Sequence, residues 1–182
     1  MISMPNNFLI SGTPGSGKTT VIEKVVSNLE DEGFSVGGIY CPEIRKKGRR
    51  VGFEIVDIIS DGSRVMAHVE REEGPRVGNY RVNLGNIDEI SDLAISRALD
   101  EVDVLVIDEI APMEVHSEKF KEKVKLALSS EKPLLAVIHK KSTMGFIGEV
   151  KYRDDFEFFD VNRETRDRLP GELTGLIMET FS

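Results

Sequence analysis

The sequence predicts an α/β fold, a three-layer αβα sandwich with a mostly parallel sheet and a β-hairpin insertion. Three observations predict it. Short apolar runs alternate along the chain with segments of helical period, the pattern of strands joined by crossover helices. Two runs, "VDVLVID" (102–108) and "PLLAVIH" (133–139), are nearly all apolar, as strands covered on both faces are. The first run, "NFLIS" (7–11), passes straight into the glycine-rich "GTPGSGKTT" (12–20).

Each element has its own signal. After the first strand, Val21, Ile22, Val25, Val26 and Leu29 repeat on one face of a helix that starts at Lys18 and stops near Gly33. "SVGGIYC" (35–41) reads as the second strand and "RVGFEIVDII" (50–59) as the third, with "IRKKGRR" as a hairpin turn between them. "ISDGSRVMAHV" (59–69) reads as another hairpin, turned at Asp61-Gly62. "NYRVNL" (79–84) adds a further strand. Ile87, Ile90, Ala94 and Ala98 give one apolar face to a helix over 87–100, and Phe120, Val124, Ala127 and Leu128 do so over 117–129. "FEFFDV" (156–161) is the last strand, and Pro170 starts a closing helix that uses Leu173, Leu176 and Ile177. No repeat or linker interrupts the 182 residues. The expectation is one domain over 1–182, with 42–85 a β-rich insertion within it.

Composition narrows the function. A net charge of −8 argues against a nucleic-acid partner, which calls for a basic field. The chain shows neither a membrane span nor a basic-then-apolar leader. Its single cysteine, Cys41, makes no internal disulfide, which fits a reducing cytoplasm. Following "VGGIY", Cys41 reads as a small apolar residue at a strand end rather than a catalytic thiol. A monomer is expected.

The opening glycines have a chemical reading. Gly12-Thr13-Pro14-Gly15-Ser16-Gly17-Lys18-Thr19 matches the P-loop pattern, and Thr20 follows it. Glycines let the backbone wrap a phosphate and turn N–H groups inward with no Cβ in the way. The helix that begins at Lys18 adds its positive end. Lys18 brings a full charge to the β and γ phosphates, and the Thr19 hydroxyl suits Mg²⁺. With strand before and helix after, the expected fold becomes a P-loop NTPase sandwich.

"VLVIDEI" supplies the acids. Asp108 ends an apolar strand, at the carboxyl edge of the sheet where α/β proteins bind ligands. It reads as an outer-shell Mg²⁺ carboxylate, and Glu109 as the base that polarises water. No Asn-Lys-x-Asp guanine-reading motif is present.

Other residues carry two readings. Arg163 and Arg166 follow the last strand and either contact the nucleotide base or form surface ion pairs. His139 and Lys140 end a strand near the acids; His139 either senses the γ-phosphate or is a satisfied structural histidine. "IRKKGRR" reads as a solvated hairpin tip before it reads as a phosphate or nucleic-acid contact, because the rest of the chain is acidic. Glu114 either orients Lys18 or water, or is an exposed helix-start carboxylate.

The motif set as a whole resembles the small nucleoside-triphosphatase family of the human cancer-related nucleoside triphosphatase and its archaeal and bacterial relatives. "GTPGSGKTT", "GGIYCPEIR", "RVGFEIVDI", "GNYRVNL", "VIDEIAPME", "AVIHKKS" and "FDVNRETRDRLPGEL" carry the resemblance over nearly the whole chain. It implies Mg²⁺-dependent hydrolysis of ATP, GTP and other nucleoside triphosphates to diphosphate and phosphate, with broad base preference. Ala111 and Pro112 stand where that family has Gly and Lys, so a cation is missing there. Asn162 and Thr165 exchange the family's two polar residues around Arg166. With no arginine finger evident, turnover should be slow. Two other functions fit the motifs: a nucleoside or nucleotide kinase, and a nucleotide-sensing interaction module.

Overall fold

In the computed structural model, which describes residues 5–182, the strands share one ten-stranded sheet. Its heart is parallel. The strands β1 (Asn7–Ser11), β2 (Val36–Tyr40), β8 (Val104–Ile110), β9 (Leu134–Ile138) and β10 (Phe156–Asp160) stand in the order β10-β1-β9-β8-β2. Every residue of β1 and β9 is buried, because helices cover both faces.

The side-chain period of two divides β1 between two cores. Phe8 and Ile10 join Val104, Val106, Leu135 and Val137 under helices α1 (Lys18–Asp31) and α5 (Leu169–Glu179). Leu9 joins Leu105, Ile107, Ala136 and Ile138 on the other face. There helices α2 (Leu84–Glu101) and α3 (Glu118–Ser129) bury Ile87, Ile90, Ala94, Phe120 and Val124. Side chains start both of these helices: Asn83 accepts from the Asn86 amide, and Ser117 from the Phe120 amide.

Beyond β2 the sheet turns antiparallel. It continues through β4 (Arg49–Asp57), β5 (Ser63–His68), β7 (Tyr80–Val82) and β6 (Arg76–Val77). Strand β3 (Glu43–Lys46) lies along the same edge of β4 as β2 does. At Gly38 strand β2 runs close to β8. Gly38 has φ 128°, and a Cβ there would stand 1.9 Å from the Val106 carbonyl oxygen.

Three local features differ from the sequence expectation. Helix α2 starts at Leu84, ahead of its first apolar-face residue, because Asn83 caps it. Residues 145–151 form a short helix, α4 (Gly145–Lys151), that buries Ile147 and Val150. Strand β8 runs past Asp108 to Ile110, with a register slip between them: Asp108 faces Val137 and Ile110 faces Ile138. Fully buried Ile110 holds the strand in the core, and the slip re-aims the residue between, Glu109.

Candidate active site

The loop between β1 and α1 is shaped by glycine. A Cβ on Gly12 would lie 2.5 Å from Ser16 Oγ and 2.6 Å from the Val161 carbonyl oxygen, so only glycine fits where the loop folds on itself. Gly17 caps α1 at φ 105°, with no side-chain cap. The first amides of a helix have no partner within it, so here they remain free for an anion. Lys18 and Thr19 open the helix.

Two chain regions meet at this loop. The Thr19 hydroxyl donates to Asp108 Oδ2 at 3.4 Å. A cavity of about 470 Å³ is lined by Gly12, Thr13, Pro14, Gly15, Lys18 and Thr19 together with Asp108 and Glu109. Ser16, Gly17, Thr20 and Arg166 lie outside its lining. Arg166 still reaches the loop: its Cδ is 3.5 Å from where a Gly17 Cβ would be. The exchanged residues beside it satisfy one another. Asn162 Oδ1 accepts from the Glu164 and Thr165 amides, and the Thr165 hydroxyl donates to the Asp160 carbonyl. Arg163 is exposed.

Three carboxyls, Asp108, Glu109 and Glu114, line the same cavity and act on one another. Burial, followed by the adjacent charge of Glu109, pushes Asp108 up to about 7, while Lys18 and the Thr19 hydrogen bond pull the other way. Glu114 sits in a 3-10 turn (Glu114–His116) after β8. The structure corrects its reading as an exposed carboxylate: it is 3% exposed, and its Oε2 has no hydrogen-bond partner. Burial and the Glu109 charge push it up to about 8. The turn after Ile110 folds inward, which a charged residue at a turn does not announce in sequence. Burial, together with the Glu114, Asp108 and Glu109 charges, raises Cys41 well above the ordinary thiol range, which keeps it in the thiol form rather than the nucleophilic thiolate near neutral pH.

His139 and Lys140 also line the cavity. His139 Nδ1 is paired with Ser142 Oγ at 2.8 Å, and burial holds its pKa below the ordinary value. Lys140 Nζ lies 3.5 Å from Asp160. The basic hairpin is not free charge at its base. Arg50 donates through Nε to Tyr80 Oη at 2.9 Å and through Nη1 to Glu43 at 3.1 Å, and Arg45 Nε donates to Glu43 at 2.9 Å.

The donor set suits Mg²⁺. Among the described residues no three His, Cys, Asp or Glu side chains form a metal cluster by themselves. Mg²⁺ does not need one, since it keeps water and phosphate oxygens and takes one or two protein oxygens. The adjoining Thr19 hydroxyl and buried Asp108 carboxyl offer those.

Sequence reasoning missed the far wall of the cavity: Cys41, Glu43, Arg50, Phe53, Met66, Val77 and Met113. Strand pairing across long sequence distances assembles that wall, and no local signal marks it.

Fold and site together define a class, an α/β protein of the P-loop type with its phosphate loop at the carboxyl edge of a parallel sheet. The chain belongs to the NTPase family, whose model matches residues 7–174. It is 41% identical over 177 residues to the nucleoside-triphosphatase THEP1 of Methanopyrus kandleri, covering 97% of both chains. It is 47% identical over 162 residues to THEP1 of Methanothermobacter thermautotrophicus, covering 89% of this chain and 90% of that one. Two solved structures share its fold. The crystal structure of THEP1 from Aquifex aeolicus superposes with a TM-score of 0.83 at 26% identity, covering 94% of this chain and 98% of that one. The solution structure of a human cancer-related nucleoside triphosphatase gives 0.79 at 30% identity, covering 95% and 97%.

Proposed function

We propose that this protein hydrolyses nucleoside triphosphates, ATP and GTP among them, to diphosphates and inorganic phosphate with Mg²⁺. The observation that carries the reading is the meeting of Thr19 with Asp108 at 3.4 Å beside Lys18 and Glu109 in one cavity. Relatives named nucleoside-triphosphatase, aligned over nearly the whole chain, support it.

The residues divide the work. Loop amides of Gly12–Thr20 grip the phosphates, and Lys18 neutralises charge on their β and γ oxygens. Thr19 and, through water, Asp108 would hold Mg²⁺, which supplies further positive charge at those oxygens. Glu109 takes the proton of the attacking water.

Turnover is slow on this reading. Two of the other cations lining the cavity are committed, Arg50 to Glu43 and Tyr80 and Lys140 to Asp160, and no arginine is free there to reach the phosphates. Pro112 fills the place where the family resemblance expects a lysine. Base preference is broad because the base rests on an open surface, beside exposed Thr20 and exposed Arg166. We also infer a monomer of one domain, working in the cytoplasm. No helix among the described residues is long and apolar enough to cross a membrane.

Initial rates of phosphate release from ATP, GTP, CTP and UTP, with Mg²⁺ and with a chelator, test the reading. Comparable, Mg²⁺-dependent rates are expected. Tight stoichiometric binding without release contradicts it and favours a nucleotide-sensing module.

A further inference from the structure

Strand β9 ends at Ile138, and His139, Lys140 and Lys141 follow it into the cavity lining shared by Lys18, Asp108 and Glu109. This short segment is tied down. The His139 amide donates to the Ile110 carbonyl at 3.0 Å, which fixes its start against β8. His139 Nδ1 and Ser142 Oγ, 2.8 Å apart, close it on itself.

A further tie comes from helix α4. Its last residue, Lys151, donates through Nζ to three carbonyls: His139 at 2.7 Å, Lys140 at 3.0 Å and Ser142 at 2.5 Å. An ammonium has three N–H groups, so Lys151 has no donor left for a phosphate. Hydrogen bonds from a charged donor are about twice as strong as neutral ones. Ile147 and Val150, buried on α4, root the lysine in the core. The three carbonyls bracket Lys141, so the backbone on both sides of that residue is held.

Lys141 is the side chain this arrangement presents. Its neighbour Lys140 is engaged with Asp160 at 3.5 Å. Among the described residues no carboxylate pairs with Lys141. It is exposed and lines the cavity. Burial lowers the His139 pKa, and the charges of Glu109, Lys18, Lys151 and Lys141 all act on the same ring. Lys141 therefore shares the surroundings of Lys18 and Glu109. Pro112, in the same lining, brings no charge.

We propose that Lys141 is a catalytic cation that contacts the γ-phosphoryl group during hydrolysis, and that Lys151 is the positioning residue that holds it there. The inference rests on the nucleotide reading above. The water oxygen bonds to the γ-phosphorus. The bond from that phosphorus to the β,γ-bridging oxygen breaks, and its electron pair leaves with the nucleoside diphosphate. Charge on the phosphoryl group in flight is spread over its three equatorial oxygens. Lys18 meets that charge from the loop and Lys141 from the end of β9. An ammonium does so as a point charge, without the paired donors of a guanidinium.

The test measures phosphate release from ATP with Mg²⁺ by the full chain and its variants, giving kcat and KM. Lys141→Met should lower kcat roughly 10²-fold, the worth of one donor aimed at developing charge. Its KM for ATP should stay within about twofold of wild type, since the contact is made in the transition state. Lys141→Arg keeps the charge and should keep kcat within about fivefold. Lys151→Met should lower kcat roughly tenfold by misplacing the segment. Added to Lys141→Met, it should cost less than about a further twofold, because the two residues act through one contact. A wild-type kcat in Lys141→Met overturns the inference while leaving the nucleotide reading intact. Equal losses in Lys141→Met and Lys141→Arg overturn the role of the charge. A Lys151→Met loss of full size in the Lys141→Met background overturns the positioning role. No phosphate release by the wild type overturns the nucleotide reading itself.

Discussion

The Thr19 hydroxyl donates to Asp108 Oδ2 at 3.4 Å, across 89 positions of sequence. Helix α1 presents the one and strand β8 the other, so the sheet itself sets their separation. Asp108→Asn keeps the shape and removes the charge. The Mg²⁺ concentration for half-maximal phosphate release should rise roughly tenfold or more, given what a charge-assisted contact contributes. A titration of Mg²⁺ at fixed ATP measures this. An unchanged midpoint contradicts the role given to Asp108.

Lys18 contributes the full positive charge at the loop. Lys18→Ala should weaken triphosphate binding by roughly 10- to 150-fold, the worth of hydrogen bonds to a charged group. Equilibrium binding of a non-hydrolysable ATP analogue to wild type and variant gives the ratio. Equal affinity places the phosphates elsewhere.

Gly38 lets β2 approach β8, with φ 128° and a would-be Cβ 1.9 Å from the Val106 carbonyl oxygen. Gly38→Ala should destabilise the fold by about 3 kcal/mol or more, since backbone strain and a backbone clash add. Urea unfolding followed by circular dichroism measures it. A loss under about 1 kcal/mol contradicts the close approach.

Glu114 makes stability depend on pH. Its folded value, about 8, lies above the ordinary 4.5, so the native protein holds a proton there that the unfolded chain has released. The group's contribution is therefore fullest below 4.5 and is lost as pH rises toward 8. Asp108, pushed up to about 7, acts in the same direction. Glu114→Gln cannot titrate. Between pH 5 and pH 8 the wild type should lose more unfolding free energy than the variant, by urea denaturation at each pH. Parallel losses contradict the burial of an acid at this position.

The sequence displays most of this architecture because the parallel strands are apolar runs and the long helices repeat their buried residues at three and four. Helix α4 escaped because it has seven residues, two of them buried, and glycine at Gly145 and Gly148. Strand β6 escaped because two residues carry no period. The loop and the acids are legible for a related reason: glycine spacing and a carboxylate ending an apolar strand are local signals. The inward fold of Glu114 and the wall of Arg50, Phe53 and Val77 depend on where the chain returns after many residues. Composition does not record that.

On the proposed function, Glu109 accepts the proton of the attacking nucleophile while the loop binds the triphosphate. Glu109→Gln tests it most directly, with ATP affinity and single-turnover phosphate release measured on the same preparation. The expected result is near wild-type affinity with release slowed roughly 10²-fold or more. Release at the wild-type rate would contradict the account.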